Sequence, residues 1–308
     1  MVSSDPLTAA RDQAFSKYGE IAHLNVGAAR CSVSVNSHIT DSENRPLGLI
    51  GGFESIQEQP AFNELLQMGY EWLRTHQCHH VRGPIVRHTW YPFRAVVEGF
   101  DNGPQLTGEP WNSPLLPKLL RQDGFVPEAH YYSTVSHNLI LQVTENEKAV
   151  SKAQGEGYEI RCLDPNHLER DLKHIHAITL KAFSRPWNYL FHPISFEEFK
   201  LVLGPSSATL KPELIRLAFT EAGEAIAFLY ATQEGSESAA IKTLAVVPEH
   251  RGTGIAGAIV SQTHQAAHAM KLKTMIHALM RDGGTSTHIS SKSGVNIHRR
   301  YQVMDRTL

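Results

Sequence analysis

The chain has 308 residues, enough for one large domain or two of ordinary size. Its 41% hydrophobic and 19% charged residues describe a globular protein with a sizeable core. A formal net charge of -2 gives no electrostatic argument for nucleic acid or an anionic membrane, and neither is expected as partner. No stretch approaches the ~18 consecutive apolar residues of a membrane span. The opening "MVSSDPLTAARDQAFSKYGE" carries no apolar run flanked by basic residues, so a cytoplasmic protein without a secretory leader is expected. Cys31, Cys78 and Cys162 lie far apart and suit reduced thiols better than a disulfide framework. His79 and His80 beside Cys78, and His174 with His176, sit at spacings whose side chains diverge on a strand or helix, so no metal site is expected.

In chain order, "ARCSVSVN" alternates Cys31, Val33 and Val35 against Ser32, Ser34 and Asn36, the pattern of a half-buried strand. "PLGLIGGFESI" reads as a second strand after a turn at "ENRP". Phe62, Leu65, Leu66, Trp72 and Leu73 then mark one face of a helix. The strand "HHVRGPI", a long Pro- and Gly-rich stretch, a short helix closing at Gly124 and the strand "AHYYSTVSHNLI" follow. The polar segment 145–157, "ENEKAVSKAQGEG" with its neighbours, reads as a linker between domains 1–144 and 158–308.

The pattern then restarts. "YEIRCL" is a strand, and "NHLERDLKHIHAITLKAF" a helix with Asn166 as its N-cap. "ELIRLAFTE" and "GEAIAFLYATQ" are strands about a turn at Ala222-Gly223, and "AAIKTLAVV" is the next strand. A helix is expected from Thr253 to Met270, with Ala256, Val260, Thr263, Ala267 and Met270 on one face. After it come the strand "KTMIHALM", a short helix ending near Gly294 and a last strand around "IHRRYQVM". The two halves repeat one order of elements, as an internal duplication would.

Gly252-Thr253-Gly254-Ile255-Ala256-Gly257 satisfies G-x-G-x-x-G, the dinucleotide fingerprint. That fold uses its glycine loop early and builds further strand–helix units behind it, for which too little chain follows. Pro248-Glu249-His250-Arg251 also lengthens the turn between strand and first glycine. Read with Arg251, the loop joins a strand to a helix start, where successive N–H groups and the helix dipole converge on an anion.

"LAVVPEHRGTGIAGAIV" resembles the acyl-CoA-binding motif of the GNAT (Gcn5-related N-acetyltransferase) superfamily, Gln/Arg-x-x-Gly-x-Gly/Ala, with Arg251, Gly254 and Ala256 at its defining positions. The resemblance covers about 155 to 308. It implies that amides from Gly252 through Thr253, Gly254, Ile255 and Ala256 to Gly257 hold the CoA pyrophosphate. It also implies that the strand around Leu244, Val246 and Val247 pairs with the pantetheine arm. "VRGPI", "VVEGFD" and "LLRQDGF" resemble a second, degenerate GNAT domain, whose "FESIQEQPAF" has no glycine at the place of the loop. The fold class implied is α/β (α+β): two tandem GNAT-like domains, each a mixed, mostly antiparallel twisted sheet flanked by helices.

Amine acylation needs a neutral amine, a polarised thioester carbonyl and a proton for the thiolate. The family's usual Asn and Tyr of the short helix are replaced here by Gly283 and Ser290, while Ser286, Ile289, Lys292 and Gly294 fit. No carboxylate lies in "IKTLAVV". His277 and Asp282 are the candidate bases, His277 having a suitable intrinsic pKa, and Ser290 is the candidate hydrogen-bond partner of the sulfur. Trp187, Tyr189 and His192 are candidates for the acceptor site. The expected activity is transfer of an acyl group, acetyl in the first instance, from acyl-CoA to a small-molecule amine, without metal. Two alternatives stand beside it: an acyl carrier protein as the thioester donor, and a non-catalytic acyl-CoA sensor.

Overall fold

The computed structural model describes residues 5–184, 188, 190–203, 210–284 and 295–308. Helix α1 (Pro6–Phe15) opens the chain, its first turn capped by the Asp5 carboxylate, which accepts from the Leu7 and Thr8 amides. Strands β1 (Gly19–Val26), β2 (Ala29–Thr40) and β3 (Pro46–Glu54) follow as an antiparallel meander, then α2 (Gln59–Thr75) and β4 (His80–Gly83). Next come β5 (Ala95–Glu98), α3 (Leu115–Gln122) and β6 (Val126–Ser136). Asn138 then caps α4 (Leu139–Glu145), accepting from the Leu141 amide, so the run read as one strand from Ala129 to Ile140 ends as a helix.

The expected linker is helical. Helix α5 (Glu147–Gly155) occupies it, with Ala153 buried and its polar residues facing out. Strand β7 (Glu159–Cys162) leads to α6 (Leu168–Phe183). Asn166 is not its cap: the Asp164 carboxylate accepts from the Asn166 amide in a preceding 3-10 turn, and α6 starts two residues on. Helix α7 (Phe196–Leu203), strands β8 (Arg216–Phe219), β9 (Ala225–Glu234) and β10 (Ser238–Val246), helix α8 (Ile255–Ala269), β11 (Thr274–Arg281) and β12 (Val295–Thr307) complete the order. The expected turn at Ala222-Gly223 is present, with Gly223 donating to the Thr220 carbonyl.

Two compact units result, and they do not follow the sequence boundary near 144. One comprises Met1–His130, Pro186–Gly204 and Arg300–Leu308; the other comprises Tyr131–Arg185 and Pro205–Arg299. In the first, β1, β2, β3, β4 and β12 run in that order and β5 pairs β12; among these described strands β3 and β4 pair in parallel and the others antiparallel. Helix α2 links that parallel pair and buries Phe62, Leu65, Leu66, Tyr70 and Leu73 against Val33, Ile50 and Met304. Each such side chain contributes roughly 1.5–3 kcal/mol of burial. Trp72, expected on the same face, is half-buried and stacks on His76 at 3.8 Å.

In the second unit the order is β6, β11, β10, β9, β8, β7, again mostly antiparallel with one parallel pair, β10 and β11, linked by α8. Helix α8 buries Ile255, Ile259, Val260, Thr263, His264 and Ala267, apolar or small residues around most of its circumference. Sheet strands cover one side of it, and α4 and α5 the other. The units thus repeat one topology: an antiparallel run, a parallel pair joined by a helix, and a closing antiparallel strand.

Candidate active site

Strands β10 and β11 pair in parallel from Ser238↔Thr274 to Ile241↔His277, and there the pairing stops. Beyond that point β10 continues along β9 to Val246↔Ala227, while β11 continues along β6 to Arg281↔Tyr131. An irregularity in each strand turns it away from the other: between Ile241 and Thr243 in β10, and between His277 and Met280 in β11. Leu279 there has φ 60, and its amide donates to Ser133 Oγ at 3.0 Å. The strands therefore splay, and the side of β10 from Thr243 through Leu244 to Val246 that faces β11 has no strand partner among the described residues. Backbone N–H and C=O groups on such an edge require partners. Val247 turns back, its amide donating to the Ile226 carbonyl at 2.9 Å.

A one-turn 3-10 segment, Pro248–His250, leads from this opening into α8. Gly252 and Gly254 take φ 79 and 90, the left-handed region that favours glycine. The first helical bond runs from the Ala258 amide to the Gly254 carbonyl. The amides of Ile255, Ala256 and Gly257 therefore have no intrahelical acceptor, and no side chain among the described residues caps them. With no acidic residue in the first turn, the positive helix end is left for an anion.

The Arg251 guanidinium braces the loop: Nε donates to the Val246 carbonyl at 3.2 Å and Nη2 to the Ala182 carbonyl at 3.0 Å. Thr253 Oγ1 donates to the His250 carbonyl at 2.8 Å, and His250 Nδ1 meets the Tyr158 hydroxyl at 2.8 Å. Helix α5 lies against the same loop. A Cβ at Gly254 would stand 2.5 Å from the Ala149 carbonyl oxygen, and one at Gly257 2.6 Å from Ala149 Cβ and 2.9 Å from Asn146 Oδ1. Lys152 Nζ donates to the Gly252 carbonyl at 2.7 Å. The close approach at Gly254 and Gly257 is thus already made by α5 and the Asn146 before it, through the Ala149 backbone at Gly254 and the Ala149 and Asn146 side chains at Gly257.

The corresponding place in the first unit is closed. Strands β3 and β4 pair at Gly48↔Val81 and Leu49↔Arg82, and the Ile85 amide extends the pairing to the Ile50 carbonyl at 2.8 Å. A Cβ on Gly51 would meet Ile85 N at 2.8 Å, and the Arg87 amide donates to Ser34 Oγ at 3.0 Å. Helix α2 begins with Glu58 at its N-cap and no glycine.

Of the expected catalytic groups, His277 and Asp282 fall on described residues. His277 is 4% exposed and points beneath α8, its Nε2 3.0 Å from His264 Nε2; burial holds its pKa down at about 4. Asp282 is exposed in the turn after β11, where Oδ1 accepts from the Gly283 amide. Ser286 and Ser290, with Ile289, Lys292 and Gly294, lie outside the described residues, as do Trp187 and Tyr189.

His192 belongs to the first unit. It is 5% exposed, stacks on Tyr18 at 3.8 Å, and its pKa is lowered to about 4 by burial and by His88 and His38. Beside it Glu198 accepts from the Tyr18 hydroxyl at 2.5 Å and meets His88 Nε2 at 3.3 Å. Burial opposes the Glu198 charge, but the hydrogen bonds from His88 and Tyr18 outweigh it and hold the carboxyl below its usual range. This buried cluster fastens α7, and Trp90 Nε1 donating to the His192 carbonyl at 2.8 Å holds the segment before it. Lys152, His264 and Glu198 were all missed by sequence reasoning, since each matters only through a partner distant in the chain.

Residues 172–283 match the family model described as Acetyltransferase (GNAT) family. The fold is similar to that of a GCN5-related N-acetyltransferase from Sphaerobacter thermophilus, at 16% identity over 91% of this chain and 76% of that one, TM-score 0.53. It is similar also to a tandem GNAT protein from the clavulanic acid biosynthesis pathway, at 12% identity over 96% and 87%, TM-score 0.53. A conserved protein of unknown function from Enterococcus faecalis V583 gives TM-score 0.56 at 9% identity, over 99% of this chain and 66% of that one. At these identities the likeness is one of fold. No curated protein sequence matches the chain significantly. Residues 172–283 are a domain of the GNAT acetyltransferase family, and the chain as a whole carries the GNAT fold.

Proposed function

We propose that the protein is a cytoplasmic N-acyltransferase that takes an acyl group, acetyl in the first instance, from acyl-CoA and transfers it to an amine. The observation that carries this reading is the splay of β10 from β11 running directly into a loop of uncapped amides at the start of α8. An extended pantetheine arm would add to the free edge of β10 at Thr243–Val246, as a strand would. The pyrophosphate would take the amides from Gly252 to Gly257, held in place by the Arg251 brace. Among its described residues the first unit has neither the opening nor the glycine loop, so we read it as a scaffold without a second donor. Its residues 190–203, with His192 and α7, lie within the stretch matched by the family model.

No carboxylate stands on the β10 edge, and His277 is committed to the core. The amine would then arrive neutral or lose its proton to water, leaving positioning and carbonyl polarisation by backbone N–H groups as the main catalytic terms. The same observations favour a second reading, a non-catalytic acyl-CoA sensor.

Titration calorimetry with CoA, acetyl-CoA and pantetheine tests the donor site, beside Gly252→Asp. Gly252 has open space at its Cβ position, so an aspartate there meets backbone strain at φ 79 but no clash; a thermal melt beside the titration checks that the variant folds while it sets a carboxylate against the amides. Micromolar CoA binding in the wild type, lost in the variant, is expected. Release of free thiol from acetyl-CoA in the presence of a panel of amines separates the enzyme from the sensor. A wild type that does not bind CoA would overturn the free-CoA reading in favour of a carrier-protein donor.

A further inference from the structure

The segment between the halves lies against the phosphate loop and brings a cation to it. We propose that Lys152, on α5, is a donor-binding residue whose ammonium contacts the pyrophosphate of the bound thioester donor. The inference rests on the acyl-CoA reading of the loop.

Three observations carry it. Helix α5 is pinned at the start of α8 by contacts that no larger residue permits, Ala149 against Gly254 and Gly257, so its position relative to the loop is set. Lys152 is one turn beyond Ala149, and its Nζ reaches the Gly252 carbonyl at 2.7 Å. That bond uses one of three ammonium N–H groups, and the exposed side chain has the others for an anion.

The electrostatics of the loop give the contact its purpose. The Gly252 carbonyl presents negative potential beside the amides that would hold a phosphate, and the ammonium offsets it. The signature arginine uses Nε and Nη2 to brace the loop, donating to the Val246 and Ala182 carbonyls. Glu249, exposed on the preceding turn, adds negative charge nearby in the chain. A lysine from outside the motif therefore adds a second cation at the loop, one whose ammonium sits at the Gly252 carbonyl. It also bears on donor choice, since pantetheine without phosphate gains nothing from it.

The test is calorimetry on the full chain as wild type, Lys152→Gln and Lys152→Arg, with CoA, dephospho-CoA and pantetheine. The glutamine variant should weaken CoA and dephospho-CoA alike by about five- to tenfold, the size of one exposed charge-assisted contact. Pantetheine affinity should not change, the arginine variant should recover most of the loss, and the gap between variants should narrow in high salt. Equal loss for pantetheine would mean that Lys152 merely braces the loop and would overturn the proposal. So would unchanged CoA affinity. Loss for CoA but not for dephospho-CoA would move the contact to the ribose phosphate and overturn the pyrophosphate assignment. A wild type that binds none of the three would instead bring down the donor-site reading itself, which separates that failure from failure of Lys152 alone.

Discussion

The imidazoles of His264 and His277 meet at 3.0 Å inside the second unit, one on α8 and one on β11. Both are pushed towards the neutral form by burial, His277 to about 4 and His264 further by its neighbour. A free histidine titrates near ~6.5, so as pH falls the unfolded chain takes up protons before the folded one. The pair's contribution to stability is therefore intact above about pH 6.5 and declines as pH drops through about 4. Thermal melts of His264→Leu/His277→Leu should show a shallower acid limb than wild type; identical limbs would refute the assignment. His277→Gln alone should lower turnover by less than about tenfold, against the 10²–10⁴ of a general base. The sequence showed a histidine inside an apolar strand, and only its partner on α8 decides between base and core.

Glycine at Gly257 presents a conflict at the scale of the element. Within the first turn of a helix, glycine costs about 1 kcal/mol relative to alanine. Here that cost is outweighed by the approach of α5, since an added Cβ would stand 2.6 Å from Ala149 Cβ. Gly257→Ala should destabilise by about 1–3 kcal/mol despite its better helix propensity, because α5 must move. Ala149→Gly should recover part of that loss in a double-mutant cycle followed by denaturant unfolding, whereas independent, additive effects would rule out the contact. Segment 145–157 looked like a linker because its polar residues hid a short apolar stripe, Ala149 and Ala153, too small to mark a helix face. Helix α8, by contrast, was read with one buried face, and it is buried around most of its circumference, from Ile255 to Ala267, because α4 and α5 cover the side away from the sheet.

Across the whole molecule, the two units exchange segments of chain. Arg300–Leu308 belongs with β4 and β5 in the first unit, through pairs such as Met304↔Gly83 and Tyr301↔Val96, and Met304 lies in its core. The part of β6 from Tyr131 pairs with β11 in the second. Helix α7 is fastened in the first unit through Glu198 and through Arg11, whose guanidinium donates to the Leu201 and Val202 carbonyls. A fragment 1–144 lacks β12 and α7, so it should lose its cooperative thermal transition and bind a hydrophobic dye, while the full chain melts cooperatively. A fragment that melts cooperatively would show these segments to be dispensable. Independent folding of 1–144 is what the sequence boundary implies.

By itself the sequence determined most of the strands, the three long helices α2, α6 and α8, the turn at Gly223 and the glycine loop at the start of α8. Those features rest on local periodicity and on backbone conformations that a few residues impose on themselves. Tertiary structure alone decided that the linker is a helix against that loop, that β10 and β11 part after Ile241 and His277, and that His277 faces His264. It also decided which unit receives each closing strand. An alternating apolar pattern makes a strand but does not name its neighbour, and pairing partners some 200 residues apart are chosen by the core they jointly close.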